Sequence, residues 1–294
     1  MTDRAIHTAA LTKKYKDVTA LDRVDLDVPR GSVYGLVGPN GAGKTTMLGI
    51  LAGLRKATSG SVEVAAGTVG VLPDTPQFDR WLTGREVVEL SRKLADNGIP
   101  SSRVDEVLEI AGLAGDANRK VKGYSRGMLQ RLGLAAVVVN EPDLLLLDEP
   151  AAALDPAGRR EVLDLLSAMR GRSTVLLSSH ILEDVQEVCD EIGILRRGEV
   201  MYQGSLDGLL SRYSRSGFGV KVRSGAEEIK DLLLDRPWVK SVGVGSDGLL
   251  SLVVSDRAAA EQELVGILAG SGHPVQWVNQ GTTSLEDVFL EVTR

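Results

Sequence analysis

Residues 38–45 read Gly-Pro-Asn-Gly-Ala-Gly-Lys-Thr, and this octet decides the fold. It satisfies G-x-x-x-x-G-K-[ST] in full. Its surroundings agree: Ser32–Val37 reads as a strand running into the turn, and Lys44–Leu54 carries apolar residues at helical spacing after it. Glycines let the backbone curl until successive N–H groups point at one anion, and the helix start adds partial positive charge. The segment implies a bound nucleoside triphosphate, with Lys44 against the β- and γ-phosphates and Thr45 as a ligand of Mg2+. The alternative is a glycine-rich turn with a chance lysine, and a full match with both flanking elements in place weighs against it.

Outward from the octet, short strands and helices alternate. Val24–Val28 alternates apolar and charged residues as a half-buried strand does, and Val62–Val64 and Val69–Leu72 are further short strands. From about Leu82 the pattern changes to amphipathic helices, Thr83–Leu94 and Ser101–Ala111. A more apolar helix follows over Ser125–Val139, with Ser125 as its N-cap. Leu144–Leu147 suits a strand buried on both faces. Helix Pro156–Met169, strand Thr174–Ser178, helix Ile181–Val188 and strand Ile192–Leu195 follow. The expectation is an α/β fold, a phosphate-loop core on a mainly parallel sheet with a helical insert over about residues 82–139. The polar stretch Ser-Arg-Tyr-Ser-Arg-Ser-Gly at 211–217 places a domain boundary, giving domains 1–215 and 216–294. The second reads strand, helix, strand, strand, helix, strand, helix, a small α+β domain with a hairpin near Gly243, Gly245 and Gly248.

Composition excludes several functions. The chain has 294 residues, 34 Lys and Arg against 40 Asp and Glu, and a net charge of −6, which speaks against a nucleic-acid partner. One cysteine, Cys189, excludes an internal disulfide framework and multi-cysteine metal clusters, and His7, His180 and His273 lie far apart. No run approaches the length of a membrane span, and the polar start Met-Thr-Asp-Arg-Ala-Ile-His does not read as a signal peptide. The expected location is cytoplasmic, with any membrane role exercised through a partner.

The chemistry gathers at strand ends. Leu144–Leu147 runs into Asp148, Glu149 and Pro150, at the strand end where open α/β sheets place ligands. There Asp148 can hold Mg2+ through water and Glu149 can polarise an attacking water. In isolation the same tripeptide reads as a solvated turn; the upstream phosphate loop reverses that preference. His180 follows the next strand, Thr174–Ser178, where it can meet a γ-phosphate. A structural histidine at a helix start is the alternative.

Between these elements lies Tyr124-Ser125-Arg126-Gly127-Met128-Leu129-Gln130-Arg131. It resembles the signature segment, Leu-Ser-Gly-Gly-Gln followed by Gln-Arg, of the ABC (ATP-binding cassette) ATPases. The resemblance covers about residues 1–215, taking in the phosphate loop, Asp148–Glu149, the Ala153-Leu154-Asp155 turn and His180. It implies an ATPase subunit with ATP and Mg2+ as cofactors. Gly38, Pro39, Asn40, Gly41, Ala42, Gly43, Lys44, Thr45 and Thr46 would hold the nucleotide, with Tyr15 against adenine. Glu149 and His180 would be catalytic, and Thr45, Asp148 and Asp74 would serve the metal. In the family the signature, here Tyr124–Met128, serves the ATP of the opposite protomer, and Asp155 lies in a dimer-contact loop. ATP then joins two cassettes and hydrolysis releases them.

This chain departs from the family pattern in three places. Arg126 replaces a glycine. Asp74 follows Val71-Leu72-Pro73 where a glutamine is usual, with Gln77 three residues on. Ala151-Ala152-Ala153 replaces polar residues. The insert resembles the subdomain that docks a membrane permease, and Ser284-Leu285-Glu286-Asp287-Val288-Phe289 resembles the tail of bacterial exporter-type cassettes serving drugs, antibiotics or polysaccharides. Leu285, Val288 and Phe289 also make a plain packing stripe. The resemblance thus implies an exporter's ATPase subunit, paired with a second cassette (a homodimer) and an integral-membrane permease at the cytoplasmic face of the membrane. The alternative is a soluble regulatory ATPase of the same class, not coupled to transport; a single cassette without sustained heptads weighs against it. A scaffold that binds nucleotide without hydrolysis is disfavoured by Glu149 and His180.

Overall fold

Strands buried along their whole length set the centre of the larger of two units. The computed structural model describes residues 4–95, 98–213, 217–245, 248–280 and 285–292. Its elements begin with β1 (Arg4–Tyr15), β2 (Val18–Pro29), β3 (Val33–Val37), α1 (Lys44–Leu51), β4 (Ser59–Val64), β5 (Val69–Leu72), α2 (Gly84–Ala95), α3 (Ser102–Ile110) and α4 (Arg126–Val138). They continue with β6 (Leu144–Asp148), α5 (Pro156–Ala168), β7 (Thr174–Ser179), α6 (Leu182–Val188), β8 (Glu191–Arg196), β9 (Glu199–Ser205) and α7 (Leu206–Tyr213). A six-stranded sheet has the order β5-β6-β7-β3-β8-β9, parallel except for the edge strand β9. Every residue of β3, β6 and β7 is buried, as strands covered on both faces require.

A second, antiparallel sheet, β2-β1-β4, packs through the same core. Met47, Leu48 and Leu51 of α1 join Ile6, Leu11 and Leu26 of that sheet and Leu36, Leu146 and Leu176 of the central one. The helix that opens the phosphate loop is therefore clamped by apolar contacts, each such side chain stabilising by roughly 1.5–3 kcal/mol on burial. The helical insert is α2, α3 and α4, each within a residue or two of its expected limits. It meets the central sheet where Gly133 of α4 lies flush on Leu72 and Pro76: an added Cβ would stand 2.6 Å from Leu72 Cδ1.

β1 and β2 span 12 residues each, longer than the short strands the alternation suggests. Register shifts mark β1 repeatedly, and Ala10 and Arg23 adopt positive φ. Each bulge resets which side chains face inward and so breaks the period of two. β9 and α7 also escaped the sequence reading.

The second unit, Gly208–Val288, is separate from Met1–Asp207 and Phe289–Arg294. It holds most of α7, then β10 (Gly217–Val222), α8 (Ala226–Leu234), β11 (Val239–Val244), β12 (Leu249–Val254), α9 (Arg257–Gly270) and β13 (Val275–Gln280), with the start of α10 (Leu285–Val292). This is the element order expected from the sequence. The sheet order β11-β12-β10-β13, antiparallel throughout, is that of a split βαβ, ferredoxin-like fold. Phe218, Val220, Leu250, Leu252, Leu264 and Trp238 form its core. Leu285 and Val288 are buried. Ser284 and residues 214–216, where the sequence suggests a boundary, lie outside the described residues.

Candidate nucleotide-binding site

The turn after β3 is shaped by contacts that exclude side chains. A Cβ on Gly38 would stand 2.2 Å from the Leu195 carbonyl oxygen, at the end of the neighbouring β8. Gly43 has φ +113° and sits against the Ala20 carbonyl oxygen. It precedes α1 as an N-cap that offers no side chain, and the first turn carries no acid. The first N–H groups of α1 are thus without an intramolecular side-chain acceptor, as an anion site requires.

Lys44 is 7% exposed; its Nζ donates to the Gly38 carbonyl oxygen at 2.7 Å and lies 3.6 Å from Glu149 Oε1. Register carries the acids to it. β6 pairs in parallel with β7 so that Asp148 faces Ser178. Ser178 Oγ donates to Asp148 Oδ1 at 2.5 Å and accepts from the Glu149 N–H at 3.0 Å. Glu149 adopts φ +50°, a left-handed conformation costing roughly 1–2 kcal/mol for a non-glycine residue. Its Oε2 lies 2.8 Å from His180 Nδ1. Glu149 is therefore held from two sides, by the lysine and by the histidine.

Lys44, Asp148, Glu149 and His180 line one cavity of about 490 Å³, while Gly38, Pro39 and Ser178 lie behind its lining. Val18, Thr19 and Ala20 contribute apolar and small surface to it. Asn40 to Thr46, Asp74, Asp148, Glu149, His180, Ala152 and Arg126 contribute the rest. Asp74 lines the cavity and Gln77 does not. Thr45 and Asp148 both line the cavity, and the Asp148 carboxylate engages Ser178 through Oδ1 alone, so a hydroxyl and a carboxylate stand at the same wall. This hard-oxygen pair fits Mg2+, which keeps waters and phosphate oxygens as its other ligands. Among the described residues no cluster of three or more His, Cys, Asp or Glu forms a metal cage.

Tyr15 lies outside the lining. It is 39% exposed and accepts a hydrogen bond from Arg55 Nη1 at 2.7 Å, and that bond lowers its phenol pKa. Lys13 Nζ stands 4.8 Å from its ring centroid.

The signature segment divides. Tyr124 is buried, donates to the Asp116 carbonyl oxygen at 2.8 Å, and lies under Gly84, so it anchors the insert; burial raises its pKa. Ser125 caps α4, accepting from the Met128 N–H at 3.2 Å. Gly127 lies in ordinary contact with Leu154. Asp155 caps α5, accepting from the Gly158 N–H at 2.9 Å.

Two residues with positional roles were not singled out by the sequence. Ser178 orients both acids, and the register at the end of β7 is the signal that would have found it. Gln130, 2% exposed, places Nε2 3.5 Å from the Glu149 carbonyl oxygen and links α4 to the acid.

Together, fold and site define a phosphate-loop, nucleotide-binding protein of the α/β class. The family described as ABC transporter matches residues 21–152. An uncharacterized ABC transporter ATP-binding protein of Bacillus subtilis is 35% identical, over 96% of this chain and 97% of its own length. Daunorubicin resistance ATP-binding protein DrrA3 of Streptomyces coeruleorubidus is 36% identical over 100% of this chain and 97% of its own. Bacitracin transport ATP-binding protein BcrA of Enterococcus faecalis is 32% identical over 98% and 96%. Among solved structures, a dimeric ATP-binding cassette in a post-hydrolysis state with ADP and Pi superposes with a TM-score of 0.63 at 27% identity, over 68% of this chain and 98% of that one. The chain belongs to the ABC transporter ATP-binding protein family. No helix of the described residues is long and apolar enough to cross a membrane.

Proposed function

We propose that this chain is the ATP-hydrolysing subunit of an exporter, dimerising on ATP and driving a separate integral-membrane permease from the cytoplasmic face. One observation carries the hydrolytic reading: Glu149 stands at the cavity wall between Lys44 at 3.6 Å and His180 at 2.8 Å. The loop N–H groups and Lys44 bind the β- and γ-phosphates. Glu149 takes the proton of the attacking water while His180 orients it at the γ-phosphate. Thr45 and Asp148 would hold Mg2+, with Asp74 nearby, and the ion would neutralise charge on the phosphates. Tyr15 would stack on adenine once Arg55 yields.

The signature Tyr124–Met128 serves the nucleotide of the opposite protomer, with Ser125 and Gly127 toward the phosphate and Asp155 at the contact between copies. Support comes from the exposed start of α4 and from likeness to a dimeric cassette. Export is supported by the relatives' names, daunorubicin resistance and bacitracin transport. The pairing with a second copy and a permease follows from the same likeness. The test is Mg2+-dependent ATP hydrolysis by the purified chain. Glu149→Gln should retain ATP binding and lose turnover by about 10²–10⁴-fold; unchanged turnover would remove Glu149 from the mechanism.

A further inference from the structure

Ser178 is fully buried at the end of β7, on the strand that stands between the acids and the phosphate loop. On one side it pairs in register with Asp148 of β6, and on the other with Leu36 of β3, which runs on into Gly38. Every residue of β7 is buried, so the hydroxyl cannot shift without moving the sheet. Its single proton has one destination. Ser178 Oγ lies 3.0 Å from the Glu149 nitrogen, where it must accept, because an amide N–H only donates. The proton is left for Asp148 Oδ1, 2.5 Å away.

A further bond shows which acid needs the hydroxyl. The Glu149 N–H also reaches the Ser178 backbone carbonyl oxygen at 3.2 Å, so it keeps a partner without the side chain. For the Asp148 carboxylate, Ser178 Oγ is the donor that the described residues supply. A donor on one carboxylate oxygen fixes how the group is presented to a metal. We propose that Ser178 is a positioning residue for the metal: by holding Oδ1 it sets the rotation of the Asp148 carboxylate, and with it the affinity for Mg2+ beside a bound nucleotide. The hydroxyl thus serves the metal ligand more than the neighbouring Glu149. The proposal rests on the nucleotide-site reading above and deepens it.

The test uses the full chain with ADP and Mn2+ as a paramagnetic probe, followed by electron paramagnetic resonance. Ser178→Ala removes one oxygen and leaves the strand backbone in place. It should weaken Mn2+ about 10–100-fold, while ADP affinity in EDTA, read by calorimetry, stays within about twofold. In an Asp148→Asn background, adding Ser178→Ala should change Mn2+ affinity by less than about threefold, because the hydroxyl acts through the carboxylate. Unchanged Mn2+ affinity in Ser178→Ala, an equal loss of metal-free ADP binding, or a full further loss in the Asp148→Asn background would overturn the positioning role while leaving the site intact. An unaltered chain that holds no Mn2+ with ADP, or an Asp148→Asn variant that holds it as tightly as the unaltered chain, would remove the metal reading and the positioning role together.

Discussion

The starts of α1 and α4 make an instructive pair. Both follow a glycine- or serine-containing turn and both present N–H groups suited to phosphate. At α1 the N-cap is Gly43, without a side chain, and the lysine that follows is buried. At α4 the N-cap is Ser125, whose hydroxyl already accepts from the Met128 N–H, and the arginine that follows is exposed. One start is left unsatisfied and braced between two sheets. The other is satisfied at rest and open to solvent. The difference separates a site that holds its ligand within one chain from one that can serve a ligand arriving on another.

Substitutions can sharpen or break that contrast. The largest effect is expected at Lys44→Ala, which should weaken ATP binding about 10²–10³-fold, the scale for removing a charge-stabilising donor from a preorganised site. Calorimetric titration reads it directly. Ser125→Ala should leave the same titration within error, and equal losses in both would erase the distinction. Next come the glycines. Gly38→Ala forces a methyl onto the Leu195 carbonyl and should destabilise the fold by about 1–3 kcal/mol. Gly127→Ala meets Leu154 at 3.4 Å, ordinary contact, and should stay within about 0.5 kcal/mol. Denaturant titration compares them, and a larger loss at Gly127 would contradict the open α4 start. The cap itself falls between the two glycines: Ser125→Ala should cost about 1 kcal/mol and lower Tm by about 2–4 °C in a thermal melt.

The same contrast explains what the sequence displayed. The α1 site is written in contiguous residues, because one turn supplies the glycines, the lysine and the threonine. Asp148, Glu149 and His180 were legible because each ends a buried strand, and parallel pairing brings strand ends together. Ser178 and Gln130 were not legible. Their roles depend on register between β6 and β7 and on the packing of α4, which no local pattern encodes. The opening of the chain misled for a related reason: bulges in β1, with Ala10 and Arg23 at positive φ, erase the alternation by which a long strand is read. Tyr15 was placed by resemblance alone, and its hydroxyl is engaged by Arg55.

In the proposed dimer, the cradle at α1 and the signature at α4 serve one nucleotide from two different copies of the chain. Mixing two crippled proteins tests it most directly. Lys44→Ala lacks a working cradle but keeps its signature; Ser125→Arg keeps its cradle but has an obstructed signature. Each should hydrolyse ATP negligibly alone. An equimolar mixture should regain activity well above the sum of the two, since a mixed pair assembles one intact site from the two sound halves. Activity of the mixture equal to that sum, or full activity of Ser125→Arg by itself, would contradict it.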